Sequence, residues 1–77
     1  MTIHILFFGQ LAEVTHVSSM QLDDIHDTDI LAVTLQGRFP IMASIETLVA
    51  VNRKVIREKT ELNDGDTVAI LPPFSGG

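Results

Sequence analysis

From Thr2 to Phe8 every position except His4 is β-branched, aliphatic or aromatic, which is the make-up of a strand. Side chains alternate across a strand, so Ile3, Ile5 and Phe7 share one face and His4, Leu6 and Phe8 the other. Both faces are largely apolar. Gly9 closes the run. Gln10 to Thr15 reads as a helical turn, with Leu11 and Val14 three positions apart. Val17 to Leu22 alternates again, Ser18, Met20 and Leu22 against Val17, Ser19 and Gln21, and predicts a second strand hairpinned to the first.

An acidic connection, Asp23 to Asp29, follows. A helix is predicted from Thr28, with Thr28 as its N-cap and Asp29 well placed against the helix dipole. Leu31 and Leu35 then lie on one side, Gly37 stands near the C-terminal end, and Pro40 bars continuation. Ile41 to Thr47 has no period and is expected to be loop or a short turn. Leu48–Asn52 and Val55–Ile56 predict two strands about a turn at Asn52-Arg53-Lys54. Asn63-Asp64-Gly65-Asp66 is a strong turn signal, Gly65 supplying the positive φ. Thr67 to Leu71 predicts the last strand, Val68 and Ile70 on one face and Ala69 and Leu71 on the other. Pairing should stop at Pro72 and Pro73, which have no N–H to donate.

The order is β-β-α-β-β-β, an α+β chain with one main helix. Such a helix covers only one face of a four- or five-strand sheet. The other face carries Leu6, Phe8, Val55 and Leu71, and an exposed apolar patch of this kind usually marks an interface. The competing expectation is that Gln10–Thr15 or Ile41–Thr47 folds over it.

Composition narrows the function. Seventy-seven residues allow one domain with a modest core and little room for a deep catalytic pocket. The absence of cysteine excludes disulfides, zinc–thiolate sites and a side-chain thiol nucleophile, and fits a reducing, cytoplasmic setting. The N-terminal stretch has no signal-peptide pattern, and no segment is long and apolar enough for a membrane helix. Ten carboxylates oppose five basic groups, so nucleic acid is not an expected partner; a protein with a basic surface is.

The closing Leu71-Pro72-Pro73-Phe74-Ser75-Gly76-Gly77 raises the sharpest question. Two prolines hold the backbone extended and away from the sheet. Gly76 and Gly77 offer the thinnest backbone available, fit to enter a narrow channel. Residues 1–71 are thus expected to form the domain and 72–77 an extended, flexible tail. A free carboxylate at Gly77 has no good leaving group, so chemistry there needs activation, most simply as an acyl-adenylate made from ATP. The plain alternative is a frayed terminus rich in small residues.

This ending, together with Ala50-Val51-Asn52 and its turn, Asn63–Asp66, and the opening Ile5-Leu6-Phe7-Phe8-Gly9-Gln10, resembles the MoaD/ThiS family of ubiquitin-like sulfur carriers. Within it, the Pro-Pro-x-Ser-Gly-Gly form is nearer the sulfur-carrier subunits of molybdopterin synthases than the thiazole-forming carriers. The resemblance implies a β-grasp fold with a mixed four- to five-strand sheet. It implies that Gly77 is adenylated by a ubiquitin-activating-type enzyme that uses ATP, then converted to a thiocarboxylate. Sulfur would pass to the molybdopterin dithiolene in the large catalytic subunit of the synthase. No bound cofactor or metal is implied. Phe8, Val55 and Leu71 correspond to the family's docking face, and Pro72, Pro73, Phe74, Ser75 and Gly76 to the segment received by the partner, Phe74 packing into it. A thiazole or other-pathway carrier, or a ubiquitin-like modifier joined to lysines, shares the same activation chemistry; an inert binding module would leave Gly-Gly incidental.

His4, His16 and His26 lack ligand spacing and are expected at the surface. Asp23, Asp24, Asp27 and Asp29 lack the Gly and closing Glu of a calcium loop and read as a solvated acidic face. Arg53, Lys54, Arg57 and Lys59 gather near one hairpin, as a polar rim or a contact for an acidic group.

Overall fold

The computed structural model describes residues 1–73. The elements are β1 (Thr2–Phe7), α1 (Gln10–Thr15), β2 (Ser19–Asp23), α2 (Thr28–Arg38), a 3-10 turn (Pro40–Ser44), β3 (Leu48–Val51), β4 (Lys54–Ile56) and β5 (Thr67–Leu71). The strands form one five-stranded sheet in the order β2-β1-β5-β3-β4. β1 and β5 pair in parallel, and every other neighbouring pair is antiparallel. First and last strands side by side at the centre, with one main helix across one face, make this the ubiquitin-like β-grasp fold.

The alternation of β1 sets the core. Ile3, Ile5 and Phe7 are buried with Leu22, Val68 and Ile70 of the neighbouring strands, against Leu31 and Leu35 of α2. Phe7 meets Phe39 edge to face, with ring centroids 5.7 Å apart, a contact worth about 0.5–1.5 kcal/mol beyond area burial.

The N-cap of α2 is Asp27, not Thr28: the Asp27 carboxylate accepts from the Ile30 N–H at 2.9 Å. Thr28 is used elsewhere, its hydroxyl accepting from the Thr60 N–H at 3.0 Å while its own N–H donates to the Thr60 carbonyl. Two oxygen-bearing side chains in succession compete for one cap, and the tertiary bond to Thr60 decides between them. Gly37 lies inside the helix, which closes through the Phe39 N–H on the Leu35 carbonyl at 2.7 Å. Pro40 then begins the 3-10 turn, where its missing N–H costs nothing.

The second strand begins at Ser19 rather than Val17, because Thr15 ties the end of α1 down. Its hydroxyl donates to the Leu11 carbonyl at 2.8 Å and accepts from the Val17 N–H at 3.3 Å. The buried pair on α1 is accordingly Leu11 and Thr15, with Val14 only half-buried.

Neither α1 nor the 3-10 turn covers the second face of the sheet. Leu11 and Met42 join the same core cluster as Leu31 and Leu35, so all the helical segments pack on one side. Among the described residues no helix is long and apolar enough to cross a membrane.

Candidate docking face and the root of the tail

Register brings together residues that lie far apart in the chain. Leu6 stands beside Ala69, Ala69 beside Ala50, and Ala50 beside Val55, making one apolar row across four strands. A second row has Leu71 beside Leu48, with Phe8 reached through its N–H bond to the Ile70 carbonyl at 3.1 Å. Phe8 and Val55 are 45% and 46% exposed; Leu6, Leu48, Ala69 and Leu71 are half-buried. Alternation had marked Leu6, Phe8, Val55 and Leu71. It passed over Leu48 and Ala50, whose side is fixed only by the partner strand. Ala69 is too small to fill the space between the larger side chains, and a hollow lined by Leu6, Phe8, Asn52, Arg53, Thr67 and Ala69 lies there.

The upper edge of this face is where the chain leaves the sheet. Leu71 ends β5, and Pro72 and Pro73 lie outside any strand. Pro72 is half-buried and Pro73 exposed. Gly9 sits against Pro72, and a Cβ on Gly9 would stand 3.4 Å from the Pro72 Cγ. Its backbone, φ 57° and ψ −136°, belongs to a region essentially reserved for glycine. Glycine is required at this position by the dihedral; beside Pro72 a Cβ would make only an ordinary van der Waals contact. Phe74, Ser75, Gly76 and Gly77, expected to carry the chemistry, lie outside the described residues.

The lower edge is braced by Asn52. Its N–H donates to the Thr67 carbonyl at 2.8 Å, and its side-chain oxygen accepts from the Thr67 N–H at 3.0 Å. Its Nδ2 donates to Asp66 at 2.9 Å. The other Asp66 oxygen accepts from the Asn63 N–H at 2.8 Å. Donation first from Asn52 and then from Asn63 holds the Asp66 carboxyl below the usual aspartate value. The 63–66 turn is joined to β1 as well: the Thr2 N–H donates to Asp64 at 2.7 Å, and the Gly65 N–H to the Thr2 carbonyl at 2.8 Å. Gly65 has φ 86°, as its turn requires.

The remaining candidates disperse. His4, His16 and His26 are all exposed, and among the described residues no three acidic or imidazole groups gather as metal ligands would. Asp27, grouped with the solvated acids in the sequence, is instead the half-buried cap of α2, and it also pairs with Lys59 at 3.8 Å.

Fold and surface together define a ubiquitin-like domain with one apolar sheet face left uncovered by its helices, and with the last strand ending at the rim of that face. Residues 5–77 match the ThiS family model, and the chain belongs to that family. It is 36% identical, over the whole of both chains, to the molybdopterin synthase sulfur carrier subunit of Chlamydomonas reinhardtii. To the protein of the same name from Haemophilus influenzae it is 29% identical, over 97% of this chain and 99% of that one. Among solved structures, it superposes along its full length on a chain of the Helicobacter pylori complex of subunits 1 and 2 of molybdopterin-converting factor, with a TM-score of 0.76 and 26% identity. The crystal structure of small archaeal modifier protein 1 from Haloferax volcanii gives a TM-score of 0.82 at 24% identity over both full lengths, a likeness of fold.

Proposed function

We propose that this chain is the sulfur-carrier subunit of a molybdopterin synthase. The observation that carries the reading is the likeness to the Chlamydomonas carrier subunit, which extends over the whole chain and so includes Gly76-Gly77. The Gly77 carboxylate attacks ATP on a ubiquitin-activating-type enzyme, releasing pyrophosphate and leaving an acyl-adenylate. A sulfur donor then displaces AMP to give the thiocarboxylate. The large catalytic subunit receives the tail, and sulfur passes to the pterin precursor of the dithiolene. Because neither glycine carries a side chain, nothing crowds the terminal carbonyl during either displacement.

The domain's own part is delivery. Phe8, Val55 and Leu71 dock on the large subunit, Pro72 and Pro73 direct the chain off the sheet, and Phe74, Ser75 and Gly76 are taken into the partner. Ordering such a tail costs about 1–2 kcal/mol per residue, which burial of the apolar face offsets. A chain without cysteine, working in the reducing cytoplasm, cannot divert the sulfur onto a thiol of its own.

Intact mass after incubation with the activating enzyme, ATP and a sulfur donor tests the reading. The expected product has gained the mass difference of one oxygen replaced by sulfur. A chain that never forms an adenylate or a thiocarboxylate would overturn it.

A further inference from the structure

The turn between β3 and β4 has two central residues, Asn52 at φ 49° and Arg53 at φ 72°, flanked by the pair Val51 and Lys54. A two-residue hairpin with both central φ values positive strongly favours Asn-Gly. Asn is present at the first position, and its side chain makes the bonds to Thr67 and Asp66 described above. At the second stands an arginine, in a backbone region that glycine would occupy with less strain. Stability does not account for that choice.

The Arg53 side chain borders the hollow formed with Leu6, Phe8 and Ala69, so it is part of the apolar face. It makes no ion pair among the described residues. The chain as a whole carries a net charge of −5, yet a guanidinium stands at the edge of the surface through which it docks. A partner complementary to the overall charge would present basic groups and be repelled at this one point, unless it placed an acid there.

We infer that Arg53 is a specificity determinant of the docking face, selecting partners that set an aspartate or glutamate carboxylate over the hollow beside Leu6 and Ala69. This rests on the docking role proposed above and adds the chemistry of the group to be met. Arginine suits it, since its planar fork can engage both carboxylate oxygens. A like charge set opposite a fixed guanidinium disfavours the wrong partner. Arg53 therefore fixes the register of docking, while Phe8 and its neighbours supply the buried area.

The test is titration of the purified large synthase subunit from the same organism with the unsubstituted chain and with Arg53→Gly, Arg53→Lys, Arg53→Glu and Phe8→Asp, at low and high salt. Arg53→Gly suits the turn and should unfold no earlier than the unsubstituted chain, yet bind about tenfold more weakly at low salt. Arg53→Lys should keep most of the affinity, and the losses should shrink as salt rises. Reversing one acidic residue of the large subunit should restore binding by Arg53→Glu, a rescue that a purely structural role would not give. If Arg53→Gly and Arg53→Glu bind as the unsubstituted chain does while Phe8→Asp fails, the inference falls and the docking face stands. Failure of the unsubstituted chain to bind would overturn both.

Discussion

Gly9 and Pro72 are neighbours where the sheet ends, and a Cβ on the glycine would meet the proline ring at 3.4 Å, an ordinary van der Waals contact. The residue that closes the first strand thus lies beside the first residue beyond the last strand.

Gly9→Ala should destabilise the domain by about 1–3 kcal/mol, because alanine must enter a glycine-only region. Pro72→Ala in the same chain would remove the contact but leave the dihedral strain, so little stability should return. Denaturant midpoints of the two single variants and the double variant check this. Full recovery in the double variant would show that crowding, not φ, is the cause.

Phe8→Asp should leave unfolding nearly unchanged, since the ring is 45% exposed, while weakening binding to the large subunit at least about tenfold. Leu71→Asp should cost more stability, because Leu71 is half-buried beside Leu48. Calorimetry and thermal melts on both variants separate the effects. Equal losses of binding and stability for Phe8→Asp would make the ring part of the core.

Asp66 gives the fold a defined acid sensitivity. Its carboxyl is held below the ordinary value of 3.8 by Asn52 and Asn63, so the folded state binds its proton less readily than the unfolded chain. The resulting stabilisation is complete above the unfolded value and is lost as pH falls through the depressed one. Asp66→Asn should flatten the decline in urea midpoint below about pH 4. Asn52→Ala should flatten it in part and also cost about 1–2 kcal/mol at neutral pH. An unchanged acid limb in Asp66→Asn would assign the sensitivity to other carboxylates.

One residue appended after Gly77 should abolish thiocarboxylate formation without altering the thermal melt. Sulfur transfer that survives the extension would show that the terminal carboxylate is not the reacting group.

Much of this was legible in the chain. Alternation in β1 and β5 is strict, and it separated Ile3, Ile5, Phe7, Val68 and Ile70 from Leu6, Phe8 and Leu71 without any knowledge of pairing. What it could not supply was register. Ala50 is apolar and small, and only its position between Ala69 and Val55 places it in the apolar row across the sheet. The cap of α2 was misplaced by one residue for a similar reason. Asp27 and Thr28 are both N-cap types, aspartate the stronger, and Thr28 is further committed to Thr60, thirty-two residues away in the chain. Arg53 reads in the sequence as one of four cations near a hairpin, a polar rim or a contact for an acidic group, and only its φ and its place on the hollow with Leu6 and Ala69 single it out.

The parallel pairing of β1 with β5 has a mechanical consequence. β5 is held on both sides, by β1 and by β3, and the tail continues it from the end opposite to that at which β1 begins. A pull on the tail, resisted at the chain's beginning, loads the bonds between the two strands in shear, many together, instead of peeling them one by one. Such a load would meet the sheet at its centre, where β5 has a partner strand on either side.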